Sequence, residues 1–451
     1  MGWLMFTRLG KIATSSAVVA TIASSAAMTN AAPLLSETST AYRILEATQK
    51  ITCAKTPAAC ASDPEACKAR YLNDTLFEDK LPEEMIAKLC DRVTTAYELP
   101  GVFWMLDGMY EEIIAGAKVL GYPEPSRPAL GSLATSQVNA TIVTPDVPAI
   151  RIIVVNLGFM TFANTLVKSA SETIEFHDEG GVLRIDLDPT VQAAYLKAHP
   201  EILERHIQGV LFALGDAAGV PIGDRKTFPI VLAYSEGSEL FAVAHEIAHE
   251  LLKHKTKTSA LAAEAGCEVV GLKADADWAQ ELQADLLALR IISEVARKRM
   301  AEGQSNIFVR YALARAPGYY FLLQQIRRDA DLALRRKPAV TGPDTEETQA
   351  LQQILKCLDE PSCEINDTIA RVGASLSNRN RHPTAEIRRK LADVMAARMA
   401  KTDDPNSAAV LSIADLVDRG TMMMATSARP FYEQANTRRP QSPSCSEAGR
   451  S

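Results

Sequence analysis

The segment FAVAHEIAHELLKH, residues 241–254, has two histidines four positions apart and a glutamate directly after the first. Residues four apart on a helix share one face, so the imidazoles of His245 and His249 can point at one metal ion. Glu246 lies off that axis but near enough to act as a general base on a water molecule at the metal. The spacing therefore predicts part of a zinc site for hydrolysis. The alternative is an ordinary helix that packs its apolar stripe in the core and carries the histidines at its edge.

A third ligand is needed, because a catalytic zinc ion takes three protein ligands and keeps one position open. The segment WAQELQADLLAL, residues 278–289, has two acidic residues four apart. If this second helix folds back antiparallel to the first, Glu281 becomes the third ligand. Asp285 then accepts a hydrogen bond from a ligand imidazole and fixes its tautomer. The alternative is that both residues lie on the solvent face of an amphipathic helix.

Other side chains fit the ligand role less well. His254 follows His249 by five residues, about 140° around the helix, and is expected to point elsewhere if the helix continues. The weaker candidates for the third ligand are Glu250, Glu264, Glu268 and Cys267. The histidines that are expected to lie at the surface are His177, His199 and His206.

Most of the chain is predicted to be helical, with a small sheet, which places it in the α+β class. Helical spacing of apolar residues predicts helices at about 238–300, interrupted at 256–275, and at about 306–336, 345–357, 364–376 and 383–400. Short β-branched segments predict strands at VNATIVT, AIRIIVVNLG and GVLRIDLD. The segment FPIVLAYSEGSE, residues 228–239, is predicted to be a strand followed by a turn.

The N-terminus has the pattern of an export signal. Arg8 and Lys11 precede an uncharged stretch rich in Ala and Ser, and small residues offer a cleavage point after Ala31. Residues 1–31 are therefore predicted to be a signal peptide, and the protein is expected to be periplasmic or secreted. An uncleaved N-terminal anchor and a disordered tail are the alternatives.

Three further parts follow along the chain: a cysteine-rich helical lead-in at 32–94, a main domain at 95–400 and a C-terminal tail at 401–451. The tail is rich in Arg, Pro and Ser after about residue 425 and is expected to be disordered there.

Eight cysteines agree with export, because disulfides form in oxidising compartments. Cys357 and Cys363 flank a short polar segment and are expected to bridge it. Two local disulfides are expected in the N-terminal group, where the spacing is too wide for the usual zinc motifs, which are the alternative there. That group consists of Cys53, Cys60, Cys67 and Cys90, while Cys267 and Cys445 stand alone.

The composition is that of a soluble globular protein, with 47% hydrophobic and 23% charged residues. A net charge of -7 over 451 residues does not favour nucleic acid or an anionic membrane as partner. No later run of 18 or more apolar residues occurs, which excludes a polytopic membrane protein. The sequence carries no signal for an oligomeric state.

Together, HEIAH and ELQAD resemble the zinc metallopeptidase family of HtpX, BepA and the CAAX prenyl endopeptidase, which are gluzincins. The histidine five residues after the second ligand also resembles this family. The same holds for VNATIVT before IIVVNLGFM, and for NRHPTAEIRRKLA at residues 380–392. The resemblance implies a zincin-like peptidase domain at 95–400, with a small sheet beside the HEIAH helix.

For the site, the resemblance implies one zinc ion held by His245, His249 and Glu281, with Glu246 as catalytic base and Asp285 in support. It makes His382 a candidate to contact the oxyanion of the transition state or to gate the metal, although a histidine at a helix start before a proline is equally natural. Either Arg388 or Arg389 would orient the substrate, or both merely solvate a helix.

The function implied is that of an exported zinc endopeptidase that hydrolyses peptide bonds, in the quality control of cell-envelope proteins. Its partner is a protein or peptide substrate, peripheral association with the envelope is compatible with it, and nucleic acid is not expected. One alternative is a zinc-stabilised binding or chaperone protein without catalysis, in which YYFLLQQIRRDADLALRR, residues 319–336, is a partner surface. Another is a regulatory protease of the ImmA/IrrE type, which AHEIAHELL also resembles.

Overall fold

The structure is a computed structural model. It describes residues 3–6, 40–55, 83–84, 87, 95, 97–98, 100–135, 139–143, 151–179, 182–186, 188–213, 228–254, 277–302, 307–334, 345–360, 362–376, 383–401 and 407–435. Both segments with the metal-binding pattern lie within these ranges. His382, the connection at 255–276 and most of the predicted signal peptide lie outside them.

Most of the described residues are helical, as the sequence predicts. The helices are α1 Thr40–Lys55, α2 Pro100–Val119, α3 Leu157–Glu172, α4 Pro189–Ala198, α5 Pro200–Ala213, α6 Phe228–Leu251, α7 Trp278–Ala301, α8 Ile307–Leu334, α9 Thr345–Asp359, α10 Ile365–Leu376, α11 Ala385–Lys401 and α12 Ser407–Ala435. The strands are β1 Trp3–Phe6, β2 Ala129–Leu133, β3 Ala140–Val143, β4 Ile152–Asn156, β5 Phe176–Glu179 and β6 Val182–Asp186. Within these ranges, no helix has the length and apolar character needed to cross a membrane.

The strands form two small sheets. In the first, β2 runs parallel to β4 and β3 runs antiparallel to it, in the order β2-β4-β3. Every residue of β4 is buried, and α6 packs against β3 and β4. The second sheet is antiparallel, in the order β1-β6-β5. The strands predicted at VNATIVT, AIRIIVVNLG and GVLRIDLD are thus confirmed as β3, β4 and β6.

Helix α6, which carries HEIAH, begins at Phe228 rather than near residue 238. The strand and turn predicted at 228–239 are therefore wrong. Ile230, Val231 and Tyr234 have helical spacing and are all buried. Because α6 packs against α3, α7 and α8, tertiary burial of this stripe outweighs the preference of Ile and Val for strands.

Helix α12 occupies a segment where the sequence predicted a tail. Arg315 on α8 forms ion pairs with Asp415 at 2.9 Å and Asp418 at 3.0 Å, and the Tyr319 hydroxyl lies 3.1 Å from the hydroxyl of Thr421. Disorder from about residue 425 is thus wrong as far as Ala435. The prediction rested on composition and did not take the spacing of the apolar residues into account. The buried residues lie along one face of the helix: Leu416, Val417, Met424, Ala428 and Tyr432.

The predicted bridge between Cys357 and Cys363 is present, with the two Cα atoms 5.3 Å apart. It joins the C-terminal turn of α9 to the residues just before α10. The disulfides predicted in the N-terminal group involve side chains outside the described part of the chain, as do Cys267 and Cys445.

His206 on α5 is completely buried, not at the surface as predicted. Neither ring nitrogen has a hydrogen-bond partner among the described residues. Burial lowers the pKa of His206 to about 3, so the imidazole is neutral and behaves as an apolar core group. The polar character of histidine hid its place on the buried face of α5.

Substitution of Gly237 by alanine is expected to destabilise the packing of α6 on α8. A Cβ at Gly237 would lie 2.5 Å from the Cβ of Ala316, and neither group can swing away. We expect Gly237→Ala to lower the free energy of unfolding by about 1–3 kcal/mol, measured by urea titration. The same change at Gly108, where a Cβ meets nothing within 4 Å, should raise it by about 0.5–1 kcal/mol. Equal effects at both positions would contradict the close contact.

Replacement of His206 should reduce the acid sensitivity of the fold. The unfolded chain binds a proton at His206 below about pH 6.5 but the folded chain does so only near pH 3, so stability falls as the pH drops through this window. Between pH 7 and pH 5, His206→Leu should lose about 2 kcal/mol less unfolding free energy than the unsubstituted chain. His199→Leu, at a partly exposed histidine, is the control, and an unchanged pH slope in His206→Leu would refute the assignment.

Candidate metal centre

Helices α6 and α7 run antiparallel and bring the two sequence segments together. Three contacts show this direction: Glu281 lies beside His249, Asp285 beside His245, and Arg299 pairs with Glu236 at 2.6 Å. Positions that advance along α7 thus meet positions that go back along α6. Asp277 caps the N-terminus of α7 by accepting from the backbone of Ala279 at 2.9 Å, and this cap positions Glu281 in the first turn.

The side chains of His245, His249 and Glu281 converge, and all three are buried. The two Nε2 atoms are 3.0 Å apart, and Glu281 oxygens lie 3.4 Å from Nε2 of His245 and 3.6 Å from Nε2 of His249. A tetrahedral zinc ion with bonds of about 2.0–2.1 Å holds its ligand atoms roughly 3.3 Å apart. The spacing and the donor set of two imidazoles and a carboxylate therefore fit zinc, although the structure does not identify the metal.

Asp285 orients the imidazole of His245. It is fully buried, and its Oδ1 lies 2.9 Å from Nδ1 of His245. Arg388 on α11 donates to both oxygens of the same carboxylate, from Nε at 2.7 Å and from the terminal nitrogen at 2.6 Å. The guanidinium also stacks on Phe321, 4.5 Å from the ring centroid. This bidentate pair fixes the carboxylate, and the carboxylate in turn fixes the imidazole.

The surroundings of the two imidazoles shift their pKa values in opposite directions. Burial, helped by the charge of His245, lowers the pKa of His249 to about 3. Burial also acts to lower the pKa of His245, but the hydrogen bonds and charges of Asp285 and Glu281 outweigh it and raise that pKa to about 10. The carboxylates of Asp285 and Glu281 therefore favour a positive charge on His245, whereas burial and the charge of His245 disfavour one on His249.

His254 was expected to point away from the site, but it lies beside His249, because α6 ends before residue 254. Lys253 has a positive φ of 55°, and the backbone N–H groups of Lys253 and His254 donate to the carbonyls of Glu250 and His249 at 3.0 and 2.9 Å. This is a Schellman turn, in which glycine is the usual residue at the position of Lys253. The turn brings Nδ1 of His254 to 2.9 Å from Nδ1 of His249.

Glu246 follows His245 on α6 and is partly buried. Its charge contributes to the raised pKa of Tyr320, which burial in the first place moves to about 12. The ring of Tyr320 stands edge-on to Phe241 at 5.5 Å and to Phe159 at 5.3 Å. An aromatic wall thus borders the side of the site where Glu246 lies, and Tyr320 keeps its hydroxyl proton at neutral pH. Sequence reasoning missed Tyr320, for which no motif gave a signal.

Of the remaining predicted residues, one reaches the site, two lie away from it and the others lie outside the described residues. Of the two arginines, Arg388 reaches the site, whereas Arg389 faces Asp393 at 3.8 Å. Glu250 pairs with Arg151 at 2.9 Å and is not a ligand. His382 lies outside the described residues, as do the weaker ligand candidates Glu264, Glu268 and Cys267.

One face of the segment 319–336, which was considered as a partner surface, packs inside the protein. Tyr319, Phe321, Leu322 and Leu323 are buried. This face of α8 belongs to the core.

Asn156, in the segment IIVVNLGFM, joins the end of β4 to the loop before β3. Its amide donates to Oδ1 of Asn139 at 2.6 Å, and its Oδ1 accepts from the hydroxyl of Thr135 at 2.6 Å. Because β3 and β4 both contact α6, this clamp holds the sheet beside the helix with the metal-binding pattern.

No protein-family model, curated protein or solved structure matches this chain.

Loss of Arg388 should weaken both the fold and the metal site. Arg388→Ala leaves the fully buried Asp285 without its guanidinium, which should lower the free energy of unfolding by about 3–5 kcal/mol. The loosened carboxylate should also lower zinc affinity about 10–100-fold, measured by competition with a chelator. Arg389→Ala, one residue along α11, is the control and should change stability by less than about 1 kcal/mol. Similar losses in both variants would contradict the role of Arg388.

Proposed function

We propose that this protein is a zinc-dependent endopeptidase. The observation that carries the proposal is the buried convergence of His245, His249 and Glu281, with Glu246 in the same helical turn as the first ligand. These three side chains lie on two antiparallel helices, and a zinc ion held by them would have one further position for substrate or water. The resemblance of HEIAH and ELQAD to the HtpX-type gluzincins supports a peptidase rather than another hydrolase.

Bound at these residues, a zinc ion supplies Lewis-acid polarisation of the scissile carbonyl and lowers the pKa of water. Glu246 takes the proton from the attacking water and later delivers it to the leaving amine. His245, His249 and Glu281 would hold the ion, and Asp285 keeps the first imidazole in the tautomer that ligation requires. Arg388 stays charged beside Asp285, because the carboxylate outweighs burial and keeps the pKa of the guanidinium above its ordinary value.

The substrate class that we propose is an unfolded or partly unfolded protein of the cell envelope. Two observations support an exported enzyme: the signal-like pattern before Ala31 and the disulfide between Cys357 and Cys363.

The proposal predicts that Glu246→Gln separates metal binding from catalysis. Glutamine keeps the shape of the side chain but cannot accept the proton, so casein cleavage should fall by about 10²–10⁴-fold while zinc content stays at one ion per chain. Cleavage is measured by release of labelled peptides, and zinc by elemental analysis of the purified protein.

Glu250→Gln is the matched control, one turn later on the same helix and paired with Arg151. It should retain cleavage. Full activity in Glu246→Gln would refute the mechanism, and a lack of turnover in the zinc-loaded unsubstituted protein would favour a binding or chaperone function instead.

A further inference from the structure

We propose that His254 and Gln283 are positioning residues for His249, and that they set its tautomer through a chain of hydrogen bonds anchored on the backbone. The proposal rests on the metal site of the proposed function but not on peptidase activity. It concerns side chains that the zinc motif itself does not include.

The chain of contacts has three links. Nδ1 of His249 lies 2.9 Å from Nδ1 of His254, and Nε2 of His254 lies 3.2 Å from Oε1 of Gln283. The side-chain nitrogen of Gln283 then donates to the carbonyl oxygen of Asn366 at 3.2 Å. The chain thus starts at a metal ligand on α6, passes the first turns of α7 and ends on α10.

The far end determines the direction of every donor. A backbone carbonyl can only accept, so Gln283 must present its nitrogen to Asn366 and its oxygen to His254. That oxygen can only accept, so His254 carries its proton on Nε2 and offers the lone pair of Nδ1. His249 must then carry its proton on Nδ1, which leaves the lone pair of its Nε2 facing Glu281 and His245. This is the tautomer that a metal ligand bound through Nε2 requires.

The two imidazoles are therefore oriented by different acceptors. His245 donates to the carboxylate of Asp285, which carries a full negative charge, whereas His249 donates to a neutral imidazole. A neutral acceptor orients His249 without adding a third carboxylate to a buried site.

Both ends of the chain are fixed by backbone structure. At one end, the positive φ of Lys253 turns His254 back over His249. At the other end, α10 packs closely on α7, since a Cβ at Gly373 would lie 2.5 Å from the Cβ of Ala279. The bridge to Cys357 holds Cys363 three residues before Asn366. The acceptor on Asn366 is therefore held in place relative to Gln283.

Zinc affinity, measured by chelator competition, tests the chain of hydrogen bonds. His254→Leu should bind zinc about 10–100-fold more weakly, because an oriented partner of a ligand histidine accounts for losses of that size. His254→Asn, which can present an acceptor oxygen in the place of Nδ1, should recover most of that loss. Gln283→Leu should weaken binding more than Gln280→Leu, a change on the same helix with no place in the chain.

The tautomers provide a second readout, which a merely structural role would not move. In the zinc-loaded protein labelled with ¹⁵N-histidine, nitrogen–proton correlation spectra should show His249 protonated on Nδ1 and His254 protonated on Nε2. In the zinc-free form of Gln283→Leu, where no metal fixes the proton of His249 on Nδ1, the preference of His254 for Nε2–H should be lost.

Unchanged zinc affinity in His254→Leu, or His254 protonated on Nδ1 in the unsubstituted protein, would overturn the proposal. Because both measurements are repeated in the Glu246→Gln background, they do not depend on cleavage. A failure of the proposed hydrogen-bond chain is thus distinguished from a failure of the proposed peptidase function.

Discussion

The bidentate pair of Arg388 and Asp285 is the interaction on which the candidate metal centre depends. It joins α11 to α7, and because His245 donates a hydrogen bond to Asp285, it also fixes α6. Both groups are desolvated, so neither would be tolerated without the other. The position of Asp285, and through it that of His245, therefore depends on the packing of α11 against α7.

The formal charges at the site explain why a divalent cation suits it. When both imidazoles are neutral, as metal binding requires, Glu246, Glu281 and Asp285 contribute three negative charges, and Arg388 contributes one positive charge. Two negative charges are left over in surroundings with little solvent. A divalent cation among His245, His249 and Glu281 balances them, which is a general reason why buried carboxylates coordinate metals. The aromatic wall of Tyr320, Phe241 and Phe159 keeps the local dielectric low and strengthens this attraction.

The sequence predicted the centre of the site well, because helical spacing carries over directly into geometry. Positions four apart on α6 and on α7 placed His245 with His249 and Glu281 with Asp285 before any fold was known. The sequence could not choose between Arg388 and Arg389. The two residues are adjacent and of the same type, and they differ only in the helix that packs against each of them, which the sequence does not show. His254 was expected to point elsewhere if the helix continued, but the chain turns at Lys253, a residue whose side chain gives no sign of a positive φ.

Two errors in the fold have a similar cause, namely that tertiary burial overrode a local signal. Ile230 and Val231 favour strands in isolation but lie on a helix that the core surrounds. His206 is polar by type and yet buried without a hydrogen-bond partner among the described residues. In both cases the structure of the segment depends on the residues that pack against it, which the local sequence does not reveal.

Helix α12 is part of the same packed unit as α8 and α11. Arg315 sits between Asp393 of α11 and two aspartates of α12, so α12 helps to hold the helix that carries Arg388. A shortened chain that ended near residue 401 would strip the cover from α8 and leave Arg315 with an incomplete set of counter-charges. A fragment that is meant to keep these ion pairs therefore has to include Asp415 and Asp418 of α12.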